Sequence, residues 1–300
     1  MPFTPSNINY AVQYSRDLAN AYPYLSYFGD IWASENSRKF RPVNANTVMI
    51  PSMTVGGAHA VNRDAMNGQF TRKFNLTWEP KVMTMYREWD TILDEMDIVE
   101  TNEVATIANV TKTFNEFQKI PEMDAYMASK LGAFATAASH VSSTTLTAAN
   151  ILGEWDTALE AMTDARVNRD RVICYMTPAT YKLLKQAAGI TRFIEIGAGI
   201  QGYDRNIAKL DGVRVVEVPS DLMKSAYNFE EGWVPTAAAT QINWIFVDPL
   251  AVIAPVVYEV SMISAPSAAT KGKNVYYESY YYDVFSLTQR TAGIQANISA

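Results

Sequence analysis

From Phe70 to Tyr86 the chain alternates. Phe70, Phe74, Leu76, Trp78, Val82 and Tyr86 occupy alternate positions, and Thr71, Lys73, Asn75, Thr77, Glu79 and Lys81 fill others between them. A period of two is that of a strand with one apolar face. With Thr47 to Val55, a strand interrupted by Pro51, it predicts a long hairpin over 46–88. The loop between them, GGAHAVNRDAMNG, carries the glycines and asparagines of a turn. Pro80 marks an edge or a bend. A two-stranded hairpin is marginal in water, so its apolar face is expected to lie on another surface, such as a neighbouring subunit.

The period changes over 101–138. Val104, Ile107, Thr111, Phe114 and Phe117 form one helical stripe, and Thr101 can cap its first turn. Pro121 then interrupts, because proline lacks the N–H that a helix interior needs but fits a first turn. A second helix is expected to start there, with Glu122 and Asp124 in its first turn and Met123, Tyr126, Met127, Leu131 and Phe134 as its buried face. The pair reads as a spine with a bend at Pro121, across which other elements lie.

Ile151, Trp155, Leu159 and Met162 mark a further helix within 146–165. Arg171 to Met176 reads as an apolar strand, followed by a helix that Thr177 and Pro178 cap and that ends near Gly189. Asp211-Gly212 turns into VRVVEV, apolar on both faces and expected to be buried. Strands are predicted at 243–247, 252–263 and in the tyrosine-rich VYYESYYYDVFSL. Residues 1–46 are dense in aromatics, broken by Pro23 and Gly29, and end in a basic cluster of Arg38, Lys39 and Arg41. They read equally well as an arm packed on something else or as an N-terminal helix of the core.

Charge adds an asymmetry that the overall balance of −6 conceals. Residues 38–87 hold eight basic and two acidic side chains, a surplus of +6. Residues 88–103 hold seven acidic side chains and no Lys or Arg. Arg72, Lys73 and Lys81 are therefore candidates to meet Asp94, Glu95, Asp97 and Glu100 of another copy. A basic footprint for nucleic acid over the whole chain is absent. The N-terminus lacks the basic and apolar regions of a signal peptide, no apolar run reaches the length of a membrane span, and the composition reads as that of a soluble intracellular product.

No active-site constellation emerges. Gly197, Gly199 and Gly202 spell G-x-G-x-x-G. The next strand begins at Val213, leaving too short a stretch for the helix of a dinucleotide site, so a glycine-rich loop is the better reading. His59 and His140 lack metal-ligand spacing, and Cys174, the single cysteine, lies in an apolar strand. The acidic run could hold a hard cation but reads better as a solvated or interface face. No catalytic residue, cofactor or metal is expected.

One stretch, LDGVRVVEVPSDLM, resembles the D-G-V-x-[VI]-[VI]-x-V-P-S-x-x-M segment of tailed-bacteriophage major capsid proteins with the HK97-type fold. RVICYMTPATYKLLKQA is similar to that family's strand, Thr-Pro and helix. ETNEVATIANVTKTFNEFQKIPEMDAYMASKL resembles its spine and P-E-[IM]-D-A-Y helix, and VIAPVVYEVSMISAP with YYYDVFSL its C-terminal return. The matches keep the family's order from about Val99 onward. The resemblance implies an α+β HK97-type fold. It divides the chain into an N-terminal arm (1–45), an E-loop hairpin (46–88), a peripheral domain with the spine (89–145), an axial domain (146–239) and a return to the peripheral domain (240–300). It implies a structural protein, not an enzyme, whose copies form pentamers and hexamers of an icosahedral shell around double-stranded DNA. It also implies a portal protein as partner, no membrane, and a place in the virion after synthesis in the bacterial cytoplasm. Family members often begin with a long scaffolding segment. This chain starts near the arm, so a separate scaffolding protein is expected, or none. Two other readings are an encapsulin-like compartment shell and, less in keeping with the residues, a cytosolic dinucleotide-dependent enzyme.

Overall fold

The structure is a computed structural model that describes residues 26–34, 36, 40–44, 46–58, 73–94, 96, 107–187, 207–268 and 270–299. Arg38, Lys39, His59, Arg72, Glu95, Asp97, Glu100, Thr101, Val104 and the glycine motif at 197–202 lie outside the described residues. The described α-helices are α1 (Gly29–Trp32), α2 (Ile107–Phe114), α3 (Ile120–Ala137), α4 (Ile151–Asp164) and α5 (Pro178–Gln186).

Alternation along two central strands divides the core. In β6 (Ile173–Met176) and β11 (Ile242–Val247), Ile173, Tyr175, Ile245 and Val247 enter one cluster, while Cys174, Met176, Trp244 and Phe246 enter the other. Strands buried on both faces are continuous apolar runs, as ICYM and IFV are. They lie in a mixed sheet ordered β5 (Val141–Ser142), β16 (Ile294–Ile298), β11, β6, β8 (Val213–Glu217), β7 (Lys209–Leu210). β6 and β8 run parallel, and α5 lies between them in the chain. One face of the sheet packs on α3, the other on α4 and α5. On α4 the four apolar residues of the predicted stripe are all buried, and Trp155 meets Trp244 and Phe246 edge-on. Thr177 caps α5, its hydroxyl accepting from Thr180 N.

A second sheet, β13 (Val256–Ser264), β14 (Asn274–Tyr282) and β4 (Met85–Leu93), is antiparallel. Tyr276, Glu278, Tyr280 and Tyr282 on its inner face are buried. α3 is in contact with both sheets: it packs on β11 and β16 of the first and bonds Tyr282 of the second. Met123, Tyr126, Met127 and Leu131 are buried as their spacing predicts, with Phe134 packed against them, and so are Ala125, Ala128 and Ala135 on other faces. Gly132 lets the helix approach β11, since a Cβ there would stand 2.9 Å from Ile242 Cδ1.

Four expectations need correction. The spine is interrupted by a π turn, Asn115–Lys119, through which α2 runs into α3 with Pro121 in the first turn of α3; the backbone stays helical at Lys119 and Ile120. Its i→i+5 bonding departs from the α-helical count, and Ile107, Thr111, Asn115 and Lys119 are buried while Phe117, inside the π turn, is 65% exposed. Strand β8 is only partly buried, with Arg214 and Glu217 exposed, because only the two-residue β7 lies beyond it in the sheet. The stretch 252–263 is two strands, since Ala254 and Pro255 separate β12 (Val252–Ile253), which pairs with β15 (Phe285–Ser286), from β13. Finally, the alternating run from Phe70 to Tyr86 is not one strand. The hairpin's return strand ends at Val82, and Tyr86 and the head of the acidic run belong to β4 in the second sheet.

Candidate assembly surface

The hairpin is a three-stranded ribbon: β1 (Arg41–Asn44), β2 (Thr47–Val55) and β3 (Phe74–Val82). The register pairs Val55 with Phe74, Met53 with Leu76 and Pro51 with Trp78. Residues directly opposite share a face, so these six build one apolar surface. It is open to water: Val55 is 71% exposed, Met53 56%, Phe74 51%, Trp78 47% and Leu76 46%. Burying a side chain of this size stabilises by about 1.5–3 kcal/mol, and the isolated chain leaves about half of it ungained here. The other face is polar toward the tip, with Thr54 opposite Asn75 and Ser52 opposite Thr77. Near the root that face turns inward, and Val48 and Ile50 are buried.

Several contacts hold the root. Met83 N donates to Asn46 O at 2.7 Å, closing the ribbon. Thr84 donates twice to Asp283 Oδ2, from its backbone N at 2.8 Å and from its hydroxyl at 3.1 Å. Gln289 Nε2 donates to Ser52 Oγ at 3.2 Å across a cleft of about 300 Å³ lined by Asn36, Ile50, Glu79, Lys81 and Arg290. Strand β4 is then tied to α3. Arg87 Nε lies 2.7 Å from Glu122 Oε1, and its NH2 donates to Oε2 at 2.9 Å. Tyr282 OH also donates to Oε1, at 3.0 Å. Burial pushes the Glu122 carboxyl above the usual carboxylate range, with Arg87 opposing the shift.

Two more buried contacts line the same joint. Tyr126 OH donates to Asp283 Oδ1 at 2.6 Å, and burial together with this bond raises the phenol. Lys119, at the end of the π turn, pairs with Glu278, lies 3.5 Å from Glu259, and stands over the Tyr280 ring at 4.1 Å. Glu278 accepts a second bond from Tyr276 at 2.7 Å. A buried ion pair of this kind holds only when its remaining hydrogen-bonding capacity is met, and the tyrosines of β14 meet it.

Among the predicted contact residues, Lys73 is exposed at the start of β3, where its carbonyl accepts from Gly56 N at 2.7 Å. Lys81 has a partner within its own strand, Glu79 at 3.6 Å, and Asp94 has Lys273 at 3.6 Å. The structure brings neither to the other. On β4, Glu88 and Asp90 are exposed beside Tyr86, which packs at a tilt against Tyr281 with centroids 4.4 Å apart. Sequence reasoning missed the joint: Glu122 and Asp124 read as first-turn residues of a helix. The signal was there in the small residues Ala125, Ala128, Gly132 and Ala135, which leave no wide polar face on α3. A charged residue on a helix buried all round has to be paired.

Cys174 is buried, and burial alone pushes its thiol up. His140 follows α3, its Nδ1 3.2 Å from Thr291 O. Among the described residues no group of three or more His, Cys, Asp or Glu is arranged to hold a metal ion, and no helix is long and apolar enough to cross a membrane.

No protein-family model matches the chain, and no curated protein sequence does. Solved structures do. The chain is similar to the capsid structure of the cyanophage P-SCSP1u at 12% identity, over 86% of this chain and 84% of that one, with a TM-score of 0.61. It is similar to the mature capsid of bacteriophage PhiM1 at 12% identity, over 85% and 82%, with a TM-score of 0.60. A structure from Mycobacterium phage Che8 matches at 13% identity, over 85% of each chain, with a TM-score of 0.56. The chain therefore has the fold of phage capsid structures, in agreement with the α+β HK97-type fold that its motifs imply.

Proposed function

We propose that the chain is a major capsid protein, the repeating subunit of an icosahedral shell around double-stranded DNA, built from its pentamers and hexamers. The observation that carries this reading is the open apolar face of Met53, Val55, Phe74, Leu76 and Trp78 on a hairpin anchored firmly at its root. A water-soluble chain with this surface exposed calls for a partner. The capsid fold makes the partner a second copy, and contacts repeated head to tail close into rings. The role is structural rather than catalytic, in a virion assembled in the bacterial cytoplasm. A portal protein and a separate scaffolding protein are the expected partners besides DNA.

In this reading the hairpin of one copy lies over its neighbour. Arg72, Lys73 and Lys81 face the neighbour's Asp94, Glu95, Asp97 and Glu100, setting register more than affinity. Lys81 and Asp94 exchange their own partners, Glu79 and Lys273, on docking. Residues 1–45 act as the arm, 46–88 as the E-loop, 89–145 and 240–300 as the peripheral domain, and 146–239 as the axial domain. Pro121, just after the π turn, is the place where the spine bends as the shell matures. Electron microscopy and light scattering of the purified protein test the function. Closed shells or rings are expected, and a strictly monomeric species at high concentration would overturn it.

A further inference from the structure

Asp124 on α3 has no solvent exposure, and among the described residues the groups that hydrogen-bond its side chain come from one short stretch of chain. Ser26 Oγ donates to Oδ1 at 2.7 Å, Tyr27 N donates to Oδ2 at 2.7 Å, and Phe28 N donates as well. These residues lead directly into α1. Behind them Phe28 and Ile31 are fully buried, with Phe28 against Tyr175 at a centroid distance of 4.3 Å. No ion pair among the described residues reaches Asp124.

The ionisable groups around it do not supply a counter-charge. On β6, Tyr175 is buried with its hydroxyl unpartnered, and the Cys174 thiol belongs to the opposite face of the sheet. On the stretch itself, Asp30 is paired with Arg214 at the surface. On α3, Glu122 is closed by Arg87 and Tyr282, and Lys130 reaches Asp283. Burial accordingly raises the Asp124 carboxyl to about 7.

We propose that Asp124 is a proton-operated clasp for the stretch that leads into α1: the neutral carboxyl holds residues 26–28, and the carboxylate loosens them. The bonding is complete in the neutral form. The Oδ1 hydroxyl then donates to Ser26 Oγ, which reverses its role and accepts, while Oδ2 still accepts from Tyr27 N. The charged form keeps its donors but is sealed from water with no cation beside it among the described residues, and opening the stretch rehydrates it.

The sign follows from linkage. The docked state binds a proton up to pH about 7, and the open state, with the carboxyl in water, only up to its ordinary value of 3.8. Docking is therefore fully favoured below about pH 4, weakens about tenfold per unit up to about 7, and is flat beyond.

Hydrogen exchange of the full-length protein between pH 4.5 and 8.5 tests this, each rate divided by the chemical rate of a matching peptide. The amides of 27–32 are expected to open about tenfold more per pH unit up to about 7 and then level off, while those of β11, reporting global opening, do not follow. In Asp124→Asn the amide nitrogen donates to Ser26 Oγ and the amide oxygen accepts from Tyr27 N, mimicking the neutral clasp. This variant should fold and show low opening with no slope. Asp124→Ala should open more at every pH. A wild-type profile without slope overturns the clasp. So does an Asp124→Asn profile with the wild-type slope, and so does failure of Asp124→Asn to fold.

Discussion

The joint between α3 and the second sheet and the face of the hairpin invert each other. The joint hides charge: Lys119, Glu122, Glu278 and Asp283 are all buried and partnered. The hairpin exposes apolar surface: five large side chains lie open with no cover. Both depart from the usual distribution of polar and apolar groups, for opposite reasons. The joint is complete within one chain, because every buried charge there finds its partner along α3, β4 and β14. The hairpin is not, because its apolar face stays half-exposed on the chain itself, and the proposed function gives that face to a second copy. The difference separates what fixes the shape of the subunit from what is left for assembly.

The hardest way to break this contrast is to unseal the joint. Glu122→Ala leaves Arg87 against α3 with no carboxylate, and breaking a buried pair from one side costs about 3–5 kcal/mol. Denaturant unfolding of the unassembled protein should show that loss. A change below about 1 kcal/mol would mean that the joint holds the subunit far less than its geometry suggests.

A double change of Leu76→Ser and Trp78→Ser acts on the other side. Both are half-exposed, so the unassembled chain should still fold, losing about half the burial value of each side chain, about 1.5–3 kcal/mol in total. Assembly should fail, because each truncated anchor removes about 1–3 kcal/mol from every copy-to-copy contact. Sedimentation of assembly reactions reads the loss directly. Normal shells from this variant would place the subunit contact elsewhere.

How far the sequence revealed each region follows from the same contrast. Period-two alternation announced β2 and β3, and a four-residue stripe announced α4, because an apolar face leaves a trace whether its cover is internal or external. The trace does not say which, so the hairpin could be drawn from sequence while its missing cover could only be inferred. The joint left no such trace. Glu122 and Asp124 look like ordinary first-turn carboxylates until the sheet that encloses them is in place. Phe117 misled for a related reason, since stripe counting assumes 3.6 residues per turn and the π turn breaks that count. The strand break at Val82 was hidden by apolar alternation that continued to Tyr86.

The smallest expected effect sharpens the contrast most finely. Arg72→Glu with Lys73→Glu reverses charge near the hairpin tip, where each exposed pair contributes about 0–1 kcal/mol. Assembly at low salt should slow and lose register, with partial recovery when Asp94→Lys and Glu95→Lys are added. Unchanged assembly by the reversed hairpin alone would assign the contact to the apolar face without electrostatic guidance.

Only Met83 and Thr84 separate the hairpin's return strand from the second sheet. Mechanically the ribbon is a lever clamped at one end. Its root is held as far as Ser52, which Gln289 bonds, so the free arm is Ser52 to Val55 with the paired Phe74 to Thr77, about 13 Å at about 3.3 Å per residue. A rotation of about 10° at the base of that arm moves its far end by about 2 Å. The sealed joint behind it need not repack. If the chain tiles a shell as proposed, this is the geometric tolerance by which one sequence would reach neighbours set at slightly different tilts.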